Sequence, residues 1–162
     1  MQEFFIGIDP GKSGGYAIIK SNGDHAVWPW DGAAFATDMS RLCQEGPVTA
    51  AVEKVSAMPK QGVTSMFNFG KSAGFIEGVL TAFGIPYQLV PPQKWKKEYS
   101  LGSDKNQSIC VCERLFPSVS LYRTERCTTK HDGMAEALLI AEFARRHMSR
   151  CGGPEGNPQR EN

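Results

Sequence analysis

Nowhere does this 162-residue chain run apolar for the roughly 20 residues that a bilayer-spanning helix needs, so no membrane protein is expected. Residues 1–7 also lack the basic-then-apolar order of a secretory signal. Cysteine is sparse: five residues, an odd number without regular spacing, point to reduced thiols rather than a disulfide framework. The expected setting is cytoplasmic, in a bacterium or a phage-infected host cell. No repeat recurs, and the glycine-rich DPGKSGG (9–15) lacks the P-loop spacing, so no nucleotide cofactor is expected.

Charge of one sign is missing too. Eighteen Lys and Arg face 17 Asp and Glu, and a net charge of +1 by itself names no polyanionic partner. The distribution is less even: residues 53–130 hold 11 basic and 6 acidic side chains, the remainder 7 and 11. A positive surface can therefore lie beside a negative site. Apolar residues make up 41% of the chain, enough for the core of one globular domain and too few residues for two. Residues 1–150 are expected to form that domain. Residues 151–162, rich in Gly, Pro, Asn and Arg, read as a disordered tail.

Strands are expected at 4–9, 16–20 and 25–30, the last two joined by Ser21-Asn22-Gly23-Asp24, where Asn-Gly tolerates the positive φ of a tight turn. A helix at 33–44 stops at Gly46-Pro47, and the apolar run VTAAVEKV (48–55) reads as a buried strand. A helix at 64–83 carries Met66, Phe69, Ala73, Ile76, Leu80 and Phe83 along one side, followed by a strand at 87–90 that ends at Pro91-Pro92. Ser103 is the expected cap of a helix at 104–116, and Thr128 or Thr129 that of a mostly buried helix at 131–148. The order β-β-β-α-β-α-β-α-α describes an α/β fold with a mixed sheet and helices on its faces.

Four carboxylates stand where a core-building pattern would not place them. Asp9 ends the first strand, before the glycine-rich turn, and Glu53 sits inside an apolar run, where a charge must be paired or metal-bound. Asp132 and Glu136 lie four apart on one face of the last helix. Taken singly, each has a plain alternative: Asp9 as turn chemistry, Glu53 as an ion pair with Lys54, Asp132 and Glu136 as helix-end and solvated charges. If the elements converge, the four share a pocket in which repulsion raises some pKa values unless cations sit among them. Hard oxygen ligands favour Mg²⁺, with Mn²⁺ the other candidate, and two such ions support in-line displacement at phosphorus.

The motif IGIDPGKSGGYAII (6–19) resembles the opening strand of RuvC-type Holliday-junction resolvases of the RNase H-like superfamily. AVEKV (51–55) is similar to their second acidic strand, and KHDGMAEALLIAEFARR (130–146) to their C-terminal acidic helix, particularly in phage and organellar branches. FNFGKSAGFIEGVL (67–80), PQKWKK (92–97) and DKNQS (104–108) also fit, so the resemblance covers about nine-tenths of the chain. It implies an RNase H-like fold with a five-stranded mixed sheet and helices on both faces. It also implies that Asp9, Glu53, Asp132 and Glu136 bind two divalent ions and cut a four-way DNA junction by paired phosphodiester hydrolysis. One departure is the spacing: the bacterial pattern places the last two acids three apart, so His131 stands as an alternative ligand or proton shuttle.

The basic segment supplies the partner. Lys12, Lys60, Lys94, Lys96 and Lys105 can follow phosphates, Lys105 with the advantage of a helix N-terminus. The resemblance assigns base stacking at the branch point to aromatics such as Phe67 and Phe69, of which Phe67 lies off the apolar stripe. Gly70, Gly74 and Gly78 recur every four residues on the long helix, which implies close packing, either within the chain or across a two-fold homodimer interface. An actin- or sugar-kinase-like nucleotide-binding fragment and a catalytically inactive branched-DNA-binding module remain the competing readings.

Overall fold

A computed structural model describes residues 1–54, 56 and 62–148. The five strands are β1 (Phe4–Asp9), β2 (Gly15–Lys20), β3 (His25–Pro29), β4 (Val48–Glu53) and β5 (Tyr87–Val90). They form one mixed sheet in the order β3-β2-β1-β4-β5, with β1–β2 and β2–β3 antiparallel and β1–β4 and β4–β5 parallel. The helices are α1 (Gly32–Glu45), α2 (Val63–Ala82), α3 (Pro92–Glu98), α4 (Lys105–Leu115) and α5 (Asp132–His147). This is the five-stranded mixed sheet with helices on both faces that the resemblance implies.

Strand alternation sorts the core into two layers. Side chains of period two point to opposite faces, so Phe4, Ile6 and Ile8 of β1 pack with Phe35, Met39 and Leu42 of α1 and Ile76 and Leu80 of α2. Phe5, with Ala17 and Ile19 of β2 and Ala51 of β4, packs instead with Trp95 of α3, Cys112 of α4 and the apolar side of α5. The same alternation turns Asp9 and Glu53 toward the α5 face. There α5 lies directly on the strand: a Cβ added at Gly7 would meet backbone atoms of Ala137 and Ala141 at 2.1 Å. One added at Gly133 would meet the Ser13 carbonyl at 2.2 Å, so the start of α5 rests on the glycine-rich turn.

Several local expectations are corrected. Pro91-Pro92 end β5 as expected, but a helix missing from the expected element order follows: Pro92 opens α3, because proline's fixed φ and missing N–H suit a first helical position. Asp104, not Ser103, caps α4 by accepting from Asn106 N at 2.9 Å. His131, not Thr128 or Thr129, caps α5, its Nδ1 accepting from Met134 N at 3.1 Å. The apolar side of α2 is only partly a core face. Ile76 and Leu80 are buried, but Met66, Phe69 and Phe83 stay about two-fifths exposed, and all of residues 63–71 are exposed. Nor, among the described residues, does anything pack on Gly70, Gly74 or Gly78: a Cβ at each would meet no atom within 4 Å. Lys60 and the tail at 151–162 lie outside the described residues. Among those described, no helix is long and apolar enough to cross a membrane.

Candidate metal centre

The parallel strands β1, β4 and β5 end side by side, with Ile8 beside Val52 and Glu53 beside Val90. The space beyond the carboxyl ends of such strands is where open α/β sheets place ligands. Asp9 and Glu53 are the last residues of β1 and β4, and α5 brings Glu136 over them from its second turn. One carboxylate oxygen from each of the three lies within 4.8 Å of the others.

Burial makes this triad an uncomfortable one. It pushes the Asp9 carboxyl well above its usual range, and the charges of Glu53, Glu136 and Asp132 push it further, with Lys96 pulling back. Burial also raises the Glu53 carboxyl, against the Trp95 indole N–H that donates to its Oε2 at 2.8 Å, while Glu136 raises it. Glu136, whose side chain keeps 12% of its exposure, accepts from Ser108 Oγ at 3.3 Å and lies 3.6 Å from Lys96 Nζ. Three crowded oxygen donors, with no thiol or imidazole among them, fit a hard divalent cation such as Mg²⁺ or Mn²⁺. Relief of their mutual repulsion is what such an ion would offer.

Asp132 is not part of the triad. Its Oδ2 holds Lys105 Nζ at 2.8 Å, and although burial acts to raise its carboxyl, that hydrogen bond and charge, with backbone N–H groups, bring it below the usual range. Its charge still reaches Asp9. His131 is occupied as the α5 cap, and burial together with Arg123 lowers its imidazole pKa, so near neutral pH the ring is uncharged and its remaining proton sits on Nε2.

The expected phosphate-binding lysines divide into two groups. Lys96 is paired with Glu136 and Lys105 with Asp132, although the Lys105 side chain stays 76% exposed. Lys12 is exposed on the turn after β1, and Lys94 reaches over the Phe143 ring at 5.9 Å from its centroid. Phe69 lies over the turn after β1, its ring 3.0 Å from where a Gly11 Cβ would stand, whereas Phe67 is 70% exposed. Trp95 and Ser108, which touch Glu53 and Glu136, carry no site signal in the sequence. PQKWKK reads there as a basic run, and only the helical turn of α3 shows that its tryptophan points inward.

No family model and no curated protein matches the chain. Among solved structures it is similar to Thermus thermophilus RuvC in complex with a Holliday junction substrate, with a TM-score of 0.57, 16% identity, and coverage of 90% of this chain and 96% of that one. A second T. thermophilus RuvC structure gives a TM-score of 0.53 at 16% identity and the same coverage. At that identity the likeness shows the fold alone, the RNase H-like fold seen in those RuvC structures.

Proposed function

We propose that this protein is a divalent-metal-dependent, structure-selective endonuclease that resolves four-way DNA junctions by paired cuts. The observation that carries the reading is the meeting of Asp9, Glu53 and Glu136 at the carboxyl ends of adjacent parallel strands. The fold it shares with a protein captured on a Holliday junction substrate supports the choice of nucleic acid.

In this reading Asp9, Glu53 and Glu136 hold a divalent cation, Mg²⁺ by preference. When bound, it supplies charge neutralisation at the scissile phosphate and a water of lowered pKa. The chain's own groups do the rest. Lys105 opens α4, where the helix dipole and free backbone N–H groups already favour a phosphate, and its ammonium can donate to a non-bridging oxygen. Lys96, between Glu136 and the Trp95 ring, balances the acids until the phosphate arrives. Asp132 stays with Lys105 and is available to the second ion expected from the sequence only when that pair opens. Exposed Phe67 is the aromatic assigned to an opened base, and Lys12 and Lys94 are assigned to the flanking backbone.

The open Gly70/Gly74/Gly78 side of α2 is assigned to a second copy of the chain, since paired cuts in a near two-fold junction suit an isologous dimer. Sedimentation of the wild type as a dimer and of Gly74→Leu as a folded monomer is the expected pair of results.

The test of the function is incubation of the full chain with labelled four-way junction, linear duplex and ATP in separate reactions, each with Mg²⁺. Symmetric nicks in the junction alone support the proposal. ATP binding or turnover without nicking would favour the nucleotide-binding reading, and junction binding without cleavage under Mg²⁺ or Mn²⁺ an inactive binding module.

A further inference from the structure

Trp95 is fully buried, yet it carries a polar N–H that must find a partner. The partner it finds is Glu53 Oε2, at 2.8 Å. We infer that Trp95 is a positioning residue for the metal centre, its indole N–H fixing the Glu53 carboxylate in the orientation that receives a cation. The inference rests on the proposed metal-dependent site and deepens it.

The chemistry of the donor matters. An indole N–H donates only; it cannot itself ligate a cation or accept a proton from the acid. By taking one lone pair of Oε2 it sets the plane of the carboxylate, and among the described residues no hydrogen bond is made to Oε1 of this side chain, which Glu136 and burial otherwise crowd. Carboxylates that bind metals are themselves commonly held by such outer hydrogen bonds, and losing one typically costs 10–100-fold in metal affinity or activity.

Trp95 is also linked to Glu136, through Lys96. Lys96 Nζ stands 5.4 Å from the Trp95 ring centroid and 3.6 Å from Glu136 Oε1. The edge of the indole thus sets Glu53 while its face supports the ammonium beside Glu136. Its place follows from α3: Pro91-Pro92 start the helix where β5 ends next to Glu53, and one turn later residue 95 faces back under β4. Lys94 and Lys97 on the same helix stay exposed.

Two measurements test this on the full-length protein. In the first, Mn²⁺ affinity is measured by titration calorimetry for wild type, Trp95→Phe and Tyr99→Phe. Phenylalanine keeps an aromatic face for Lys96 and deletes the N–H. Tyr99→Phe is the stability control, removing the buried Tyr99 hydroxyl bond to the Leu139 carbonyl (2.9 Å) without touching an acid. The expected result is about 10–100-fold weaker Mn²⁺ binding by Trp95→Phe and unchanged affinity for Tyr99→Phe.

The second needs no folded Trp95 variant. In the ¹H–¹⁵N spectrum of the wild type, one of the three tryptophan indole signals should be protected from exchange, shift on Mg²⁺ addition, and shift again in Glu53→Gln. Wild-type Mn²⁺ affinity in Trp95→Phe, or no indole signal that responds to both Mg²⁺ and Glu53→Gln, overturns the inference. So does a wild type that binds no Mn²⁺. A wild type that binds Mn²⁺ tightly, loses it with Trp95→Phe and cuts no junction would instead overturn the proposed activity and leave the positioning role standing.

Discussion

α5 buries eleven of its sixteen residues, whereas α2, four residues longer, buries only Ile76 and Leu80. Both helices are rich in small and apolar residues, so composition does not separate them. What separates them is the strand surface beneath. Gly7 lets α5 settle backbone to backbone on β1, and the alanines at 135, 137, 141 and 144 leave no room for shift. A helix seated that closely can hold Glu136 over Asp9 and Glu53. α2 meets the sheet only in its second half, and its first turns carry Val63, Met66 and Phe67 outward. One helix is built for placement of a charge, the other for presentation of a surface.

The largest effect is expected from breaking the closer contact. Gly7→Val puts a branched side chain against the Ala137 carbonyl, which neither backbone can yield to. A destabilisation on the order of 3 kcal/mol or more is expected, read as a fall of about 10 °C in Tm or failure to fold. Gly74→Ala on α2, with no atom of the described residues of the same chain within 4 Å, should leave Tm within about 2 °C or raise it. Equal losses from the two changes would erase the distinction drawn between the helices.

Next comes the charge that α5 helps to bury. Because the Asp9 carboxyl lies well above its ordinary value of 3.8 in the fold, the folded protein binds its proton more tightly than the unfolded chain. Stability is therefore lost as pH rises from that ordinary value through the raised one. Asp9→Asn should abolish cleavage and raise Tm on the order of 5 °C at neutral pH without metal, the gain vanishing below about pH 4. Mg²⁺ should raise the wild-type Tm and not that of the variant. A variant less stable than wild type at neutral pH would contradict the crowding argument.

Smaller effects are expected on the presenting side. Phe67→Ala should leave Tm unchanged and weaken junction binding by about 1–3 kcal/mol, with linear duplex unaffected. A large Tm loss would return that ring to the core. Smallest is Lys105→Ala, which should flatten the salt dependence of binding by about one unit of log–log slope on junction and duplex alike.

The helices also differ in how much of their role could be read from sequence. Alternation in FFIGID and VTAAVE shows which strand residues share a face, and Ala135, Leu138, Leu139 and Ala141 mark α5 as buried, so Asp9, Glu53 and Glu136 were legible. Asp132 was not, because its partner Lys105 lies 27 positions away and helix spacing says nothing of what faces an acid across a loop. Periodicity marked Met66, Phe69 and Phe83 as core. It cannot show that the sheet supports only the Ile76–Leu80 turn. Trp95 stayed hidden for a simpler reason: Pro91-Pro92 ends a strand and begins a helix with the same two residues.

The central claim is that Asp9, Glu53 and Glu136, rather than the four acids equally, form the working site. The direct measurement is the initial rate of four-way junction cleavage against Mg²⁺ concentration for wild type, Glu136→Gln and Asp132→Asn, with junction binding measured alongside. Glu136→Gln should bind the junction and cut at background level, while Asp132→Asn keeps a measurable rate. Wild-type cleavage by Glu136→Gln, or its loss in Asp132→Asn alone, would contradict the account.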